Sequence, residues 1–265
     1  MLHFTKMHGL GNDFVVIEDR ADTDYHKLAR SLCDRHRGIG ADGLIVIGKD
    51  AVADCCMRIF NADGSEAQMC GNGVRCVGKY IRDNGLCSSP TPVIATMSGH
   101  KKLYIKQGAD GTVESVTVDM GLPETGAQYT LATPCGDFSV TEVSTGNPHG
   151  VAFVSDPSAI ALSVAGPALE CAEVWPQKAN IEFAAVDTDR HTVYQRTWER
   201  GVGETEACGT GACATAAAAV ATGRADYPVE VHLTGGVLLI DIDPDTNHLL
   251  MTGPAETVFT GTVQK

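Results

Sequence analysis

Two copies of one short pattern divide this chain. Glu66-Ala67-Gln68-Met69-Cys70-Gly71-Asn72-Gly73 stands in the first half and Glu204-Thr205-Glu206-Ala207-Cys208-Gly209-Thr210-Gly211 in the second. Each runs Glu, three residues, Cys-Gly-x-Gly, and a second cysteine follows shortly, Cys76 and Cys213. The copies lie about half the 265-residue chain apart, as a duplicated structural unit requires. After the first copy Val74, Val77 and Ile81 recur at helical spacing, and Asn84-Gly85 is a helix stop. After the second, Ala-Cys-Ala-Thr-Ala-Ala-Ala-Ala-Val-Ala is apolar all round and predicts a helix buried on every side, ending at Thr222-Gly223-Arg224.

Each Cys-Gly-x-Gly is therefore expected at a helix N-terminus. There unpaired backbone N–H groups and the positive dipole end favour an anion, either a thiolate or a bound carboxylate. The glycines allow close backbone approach. Two such sites facing each other across an interdomain cleft would set activatable thiols on opposite faces of one small acid. One thiolate could remove a proton from carbon while the opposite thiol delivers one, inverting the centre.

Composition narrows the partners. A net charge of −13 supplies no basic stripe for nucleic acid and does not favour an anionic membrane surface. Residues 1–20 carry Asp13, Glu18 and Asp19 without an apolar signal core, and no apolar run reaches spanning length, so a cytoplasmic protein is expected. None of the ten cysteines forms a Cys-x-x-Cys pair, so no metal is expected. Most are expected to be small buried apolar side chains.

Along the chain, residues 4–17 read as strand, glycine loop, strand, and residues 24–35 as a surface helix with Leu28 and Leu32 on one face. Gly38-Ile39-Gly40-Ala41-Asp42-Gly43 matches the dinucleotide pattern but precedes a strand, Leu44 to Ile47, instead of opening a helix, so the match is rejected. Further β-rich runs cover 57–60, 93–97, 102–106 and 113–118. Gly/Pro-rich residues 120–123 mark a hinge. The second half offers strands at 138–143, 151–154, 180–186, 193–198, 229–233, 237–242 and 256–263. The polar loop 144–150 carries Asn147 and His149 around a proline. The pattern predicts an α+β fold of two pseudo-symmetric domains, each a mixed β-sheet or barrel around a central helix.

Taken together, several segments resemble the diaminopimelate epimerases, cofactor-independent amino-acid epimerases of lysine and peptidoglycan-precursor synthesis. The carriers are residues 8–14 (HGLGNDF), 38–43 (GIGADG), 60–66 (FNADGSE), 69–76 (MCGNGVRC), 146–149 (GNPH) and 198–211 (WERGVGETEACGTG). The resemblance implies epimerisation of LL-2,6-diaminopimelate to the meso isomer by two bases, with no cofactor. Cys208 would take the α-proton of the LL isomer and Cys70 protonate the other face, with roles exchanged for the meso isomer. Gly71, Asn72, Gly209 and Thr210 would hold the reacting carboxylate through helix amides, and His149 and Glu199 would tune the thiols. Asn12, Asn61, Asn147, Asn180, Glu199 and Arg200 match substrate-binding positions, Arg200 able to grip a carboxylate with two prongs.

It also implies domains at 1–118, completed by 255–265, and 119–254, with the active site in the cleft between them and a homodimer as the assembly. Two positions depart from the pattern: Gly43 stands where some members have a glutamine that helps bind substrate, and Phe259 where some have a tyrosine at the dimer contact. The rival readings are a related racemase of another amino acid, such as histidine or proline, and a non-catalytic amino-acid-binding or thiol redox protein. A substrate without a second zwitterionic end would leave Asn61, Asn147, Asn180 and Arg200 unpaired, and a binding protein would need the helix amides but not two cysteines.

Overall fold

The computed structural model describes residues 1–264, which form two compact units: Met1–Val118 with the segment from Gly253 onward, and Asp119–Thr252. The first opens on a hairpin, β1 (Leu2–Gly9) and β2 (Asn12–Glu18), followed by helix α1 (Tyr25–Leu32). Strands β3 (Gly43–Gly48), β4 (Cys55–Asn61) and the short β5 (Glu66–Ala67) lead to helix α2 (Gly71–Asp83). Strands β6 (Val93–Thr96), β7 (Gly99–Gln107) and β8 (Val113–Gly121) follow.

The second unit repeats this order. It runs β9 (Glu124–Thr133), β10 (Gly136–Ser144), β11 (Pro148–Phe153), α3 (Leu162–Glu170), β12 (Asn180–Val186), β13 (Thr192–Glu199) and β14 (Gly203–Thr205). Helix α4 (Gly209–Ala221) and strands β15 (Val229–Leu233), β16 (Gly236–Ile242) and β17 (Leu249–Gly253) complete it. The last strand, β18 (Glu256–Val263), pairs antiparallel with β1 and belongs to the first unit.

Pairing makes the duplication explicit. In the first unit β2 lies parallel to β3 and β4 parallel to β6, with the other neighbours antiparallel. In the second unit β11–β12 and β13–β15 are the parallel pairs at the same places. The parallel crossovers carry the outer helices, α1 between β2 and β3, α3 between β11 and β12. Both β3 and β12 read as almost continuously buried runs, because a helix covers each of their faces.

The inner helices are α2 and α4. Of α2, residues 71–81 are all buried, and its Gly73 faces Met57 and Ile45 while Gly78 faces Leu103 and Val116. Helix α4 is buried through most of its length by alanines, which combine high helix propensity with the small volume a tightly wrapped helix allows. Helix α1 is amphipathic, as its sequence predicts: Tyr25, Leu28, Ala29 and Leu32 are buried, and the Asp24 side chain caps its N-terminus by accepting from the Lys27 amide. Burying each large side chain of this kind contributes about 1.5–3 kcal/mol.

Two sequence expectations need amendment. Helix α3 was not foreseen: its apolar run 162–170 contains Pro167 and Gly166, both poor helix-interior residues. The Trp198 ring packs where a Gly166 Cβ would stand, so tertiary contact overrides propensity there. The expectation of a surface helix in the first half alone thus omits its counterpart α3 in the second. The cysteines, too, are less uniformly buried than expected. Five are buried, but Cys135 and Cys171 are exposed and Cys56, Cys70 and Cys87 are partly so. Phe259 is half-exposed on β18, its ring edge-on to Phe4 at 5.8 Å. Among the described residues no helix is long and apolar enough to cross a membrane.

Candidate active site

Each of the paired cysteines occupies the N-cap of an inner helix, with extended backbone dihedrals, and each accepts the amide of the residue three along. Cys70 Sγ takes the Gly73 N–H at 3.4 Å and Cys208 Sγ the Gly211 N–H at 3.4 Å. Sulfur thus fills the place where Ser or Asp would ordinarily satisfy a helix's unpaired donors. A polar or anionic sulfur is favoured there by the helix dipole as well as by the amide.

In the first unit the residues around Cys70 are fixed by a directed set of hydrogen bonds. Arg75, fully buried on α2, donates from Nη2 to Asn72 Oδ1 at 3.0 Å and from Nε to Pro254 O at 3.1 Å. That leaves Asn72 Nδ2 to donate to Asn12 Oδ1 at 3.4 Å, and Cys70 Sγ lies 3.5 Å from the same oxygen. Asn12 Nδ2 in turn donates to Asp42 Oδ2 at 2.8 Å. Both ends of the Asn12 amide are therefore assigned, and its carbonyl faces the thiol. Gly9 permits this closeness, since a Cβ there would lie 3.0 Å from Arg75 Nη2.

Asp42 is itself held by Arg35 and by the neighbouring Asp13 network. Asp13 accepts from Lys6 Nζ at 2.5 Å and from Arg35 Nη2 at 2.9 Å, and Lys6 also donates to the Gly40 carbonyl. Burial raises the Asp13 carboxyl, but hydrogen bonds from Arg35, Lys6 and the Asp42 amide outweigh it and bring the pKa down to about 2. A carboxyl lowered on folding contributes stability above its ordinary value of 3.8 that is lost as pH falls through about 2. Asp13→Asn is accordingly expected to lose stability at neutral pH and to show a flatter pH dependence in that acid window, measured by urea unfolding at several pH values.

Asn61 stands at the end of β4, opposite Gly43 in register, with Nδ2 donating to Ser65 Oγ at 2.9 Å. Gly43 has no room for a side chain: a Cβ would lie 2.9 Å from the Phe60 carbonyl oxygen. A glutamine contact from this position would therefore need the backbone to move.

The second unit gathers more of the expected residues. Cys208 Sγ lies 3.4 Å from Thr210 Oγ1, and Asn147 Nδ2 donates to that hydroxyl oxygen at 3.5 Å. His149 is fully buried, with Nε2 3.0 Å from Asn147 Oδ1 and Nδ1 2.9 Å from Glu182 Oε1. Glu199 accepts from Thr205 Oγ1 at 2.7 Å and also faces Cys208. Asn180 joins two loops: its Oδ1 accepts from the Arg200 amide at 2.9 Å and its Nδ2 donates to Pro148 O at 3.3 Å. Arg200 Nη1 donates to Gln177 O at 2.9 Å. The turn carrying Glu199 and Arg200 is anchored on α3 through Glu170, which accepts from Trp198 Nε1 and the Gly201 amide.

The electrostatics of this half-site oppose a thiolate. Burial pushes the Cys208 thiol well above its ordinary 9.0, and the Glu199 and Glu182 carboxylates push the same way; Thr210 and the Gly211 amide pull it down but are outweighed. Burial also raises Glu199, against the lowering from Thr205, Cys208 and His149. With no substrate present, alkylation of Cys208, resolved by peptide mass, is expected to stay slow at about pH 8 and to rise only above the ordinary thiol range.

Glu182 and Asp42 are the functional neighbours that sequence reasoning missed. The signal for Glu182 was present, since an ionisable residue interrupts the otherwise apolar strand Ile181–Val186. Nothing comparable marks Asp42, which looks like an ordinary turn aspartate.

Comparison with known proteins matches this chain to a family. The profile of the family described as diaminopimelate epimerase matches residues 4–125 and 141–258. A diaminopimelate epimerase from Bacteroides thetaiotaomicron is 47% identical over 273 residues, covering 99% of this chain and 98% of the relative. One from Desulforudis audaxviator is 45% identical, covering 98% of each. Among solved structures, a probable proline racemase from Agrobacterium radiobacter superposes with a TM-score of 0.77 at 17% identity, over 100% of this chain and 93% of that one. A hydroxyproline epimerase from Agrobacterium vitis gives 0.75 at 18% identity, over 98% and 91%. These two share the fold.

Proposed function

The chain belongs to the diaminopimelate epimerase family, and from that premise we propose that Cys70 and Cys208 are its two catalytic bases. The enzyme is an isomerase that converts LL-2,6-diaminopimelate to meso-diaminopimelate, a step of lysine biosynthesis. The observation that carries the two-base reading is the repeated N-cap cysteine, each sulfur accepting a helix amide at the start of a buried helix.

Inversion at carbon needs a base on one face and an acid on the other. One sulfur, as thiolate, takes the α-proton, and the C–H electron pair passes onto the α-carbon and its carboxylate. The other sulfur, as thiol, gives its proton to the opposite face. Thiol and thiolate have then exchanged places, and the reverse reaction uses them in reverse. The reading requires both thiols to reach one α-carbon.

An amino-acid α-proton is weakly acidic, and positioned acid–base groups supply only about 10²–10⁴ in rate. The larger share must come from preorganised donors where charge develops. The amides of Gly71, Asn72, Gly209 and Thr210, at two helix N-termini, are the groups suited to the reacting carboxylate. The α-ammonium of the substrate brings a cation to the Cys208 surroundings, offsetting Glu199 and Glu182 and bringing the thiolate within reach. Glu199 and His149 set that balance, while Asn12, Asn61, Asn147, Asn180 and Arg200 bind the substrate's polar ends. The same reading makes the enzyme a cytoplasmic homodimer.

Stereospecific turnover tests the proposal. Reduced protein without added cofactor should form the meso isomer from LL-diaminopimelate and leave L-histidine and L-proline unchanged. Racemisation of either of those in place of diaminopimelate would overturn the substrate assignment.

A further inference from the structure

Glu182 is a carboxylate that the mechanism above uses only as background charge. It lies in mid-β12, fully buried, with Oε1 against His149 Nδ1 and Oε2 without a hydrogen-bond partner among the described residues. Taking such a group out of water is costly, and only a close and well-formed partner set offsets it. The site is built around it. Gly211 on α4 lacks the Cβ that would lie 2.5 Å from Glu182 Oε1.

From Glu182 an unbroken series of polar contacts reaches the sulfur of Cys208. It runs Glu182 Oε1–His149 Nδ1 (2.9 Å), His149 Nε2–Asn147 Oδ1 (3.0 Å), Asn147 Nδ2–Thr210 Oγ1 (3.5 Å) and Thr210 Oγ1–Cys208 Sγ (3.4 Å). Each link has a polarity. An ionised carboxylate only accepts, so Nδ1 donates, and a carbonyl oxygen only accepts, so Nε2 donates as well. The doubly protonated ring satisfies both. Asn147 then presents its NH₂ to Thr210 Oγ1, and the Thr210 hydroxyl proton is left to point at Cys208. With one proton fewer on the ring, Nε2 would accept, the Asn147 amide would turn over, and Thr210 would donate to Asn147 instead of to sulfur.

We propose that Glu182 is a positioning residue that holds His149 doubly protonated and so directs the Asn147–Thr210 chain to donate a hydrogen bond to the Cys208 thiolate. The inference rests on the reading of Cys208 as a base. The charged groups facing Cys208 are Glu199 on β13 and Glu182 on β12, with His149 on β11 acting on Glu199, while α4 contributes the Gly211 amide. In that company a hydroxyl donor aimed at sulfur is what a thiolate needs.

The test is Glu182→Gln, which keeps the shape and removes the charge. Nitrogen-15 NMR of histidine-labelled protein near neutral pH should show both His149 nitrogens protonated in the unsubstituted enzyme and one in Glu182→Gln. The signal is assigned by its loss in His149→Gln. Turnover should fall about 10- to 100-fold in kcat with KM little changed, as for loss of a hydrogen bond to a charged group. In a Thr210→Val background Glu182→Gln should cost nothing more, while in Thr210→Ser, which keeps the hydroxyl, its full cost should return. An unprotonated ring nitrogen in the unsubstituted enzyme overturns the proposal, even if the variant does not fold. So does an equal cost of Glu182→Gln with and without the Thr210 hydroxyl, the result of a through-space charge effect. Because the NMR measurement uses no substrate, it judges Glu182 even if Cys208 proves not to be a base.

Discussion

Cys208→Ala and Cys70→Ala are each expected to lower epimerisation by about 10³-fold or more while the protein stays folded. On the two-base reading, removing one proton-transfer group forfeits its whole acid–base contribution, on the order of 10²–10⁴, together with the charge placement that depends on it. The structural cost is small by comparison. Each sulfur caps one amide, and losing a cap costs about 0.5–2 kcal/mol. Cys208→Ser separates the two effects: a hydroxyl is a better N-cap than sulfur, so stability should hold or rise, but it is far too weak an acid to replace the thiol. Single alanine variants should also retain a half-reaction. The remaining cysteine can exchange the α-proton of the isomer it faces without inverting the centre. A variant keeping more than a trace of full turnover would contradict the two-base assignment.

Gly211→Ala is expected to be far more damaging than the twin change Gly73→Ala, although the two glycines occupy equivalent places in the repeated pattern. At Gly211 a Cβ would lie 2.5 Å from Glu182 Oε1 and 3.3 Å from Cys208 Cβ. Glu182 must move, and its pairing with His149 breaks inside a fully buried site. Breaking a buried pair typically costs about 3–5 kcal/mol. At Gly73 the Cβ would meet the tip of Met57 at 3.0 Å and of Ile45 at 3.2 Å, flexible ends that can give way. That overpacking should cost about 1–3 kcal/mol. Unfolding by urea gives the two values directly. Equal losses would mean that Glu182 is not held in the place described here.

The repeated Cys-Gly-x-Gly made the inner helices legible, because helix N-termini with a polar first residue and glycines behind it have a strong local signal. Most of the paired strands around them followed from alternation and turn residues, but β9, β17 and the short β5 and β14 did not. Helix α3 did not, since Gly166 and Pro167 contradict a helix locally and only packing on Trp198 explains them. The repeat itself contained the clue, for α1 occupies the same crossover in the first unit. The polar chain from Glu182 through His149 and Asn147 to Thr210 joins residues from β11, β12, α4 and the loop before β11. Contacts of that kind depend on sheet register, which short sequence patterns do not carry. Asp42 escaped for the same reason: its role is to hold Asn12, thirty residues away in sequence.

Proton NMR in heavy water, with reduced protein and LL-diaminopimelate, tests the central claim most directly. A two-thiol enzyme gives the product its new α-hydrogen from the acid that has equilibrated with solvent. Early in the reaction the meso product should therefore carry deuterium at the inverted centre while the remaining LL substrate keeps protium. Product that retains the original protium, returned by one base to the opposite face, would contradict the assignment of Cys70 and Cys208 as separate acid and base.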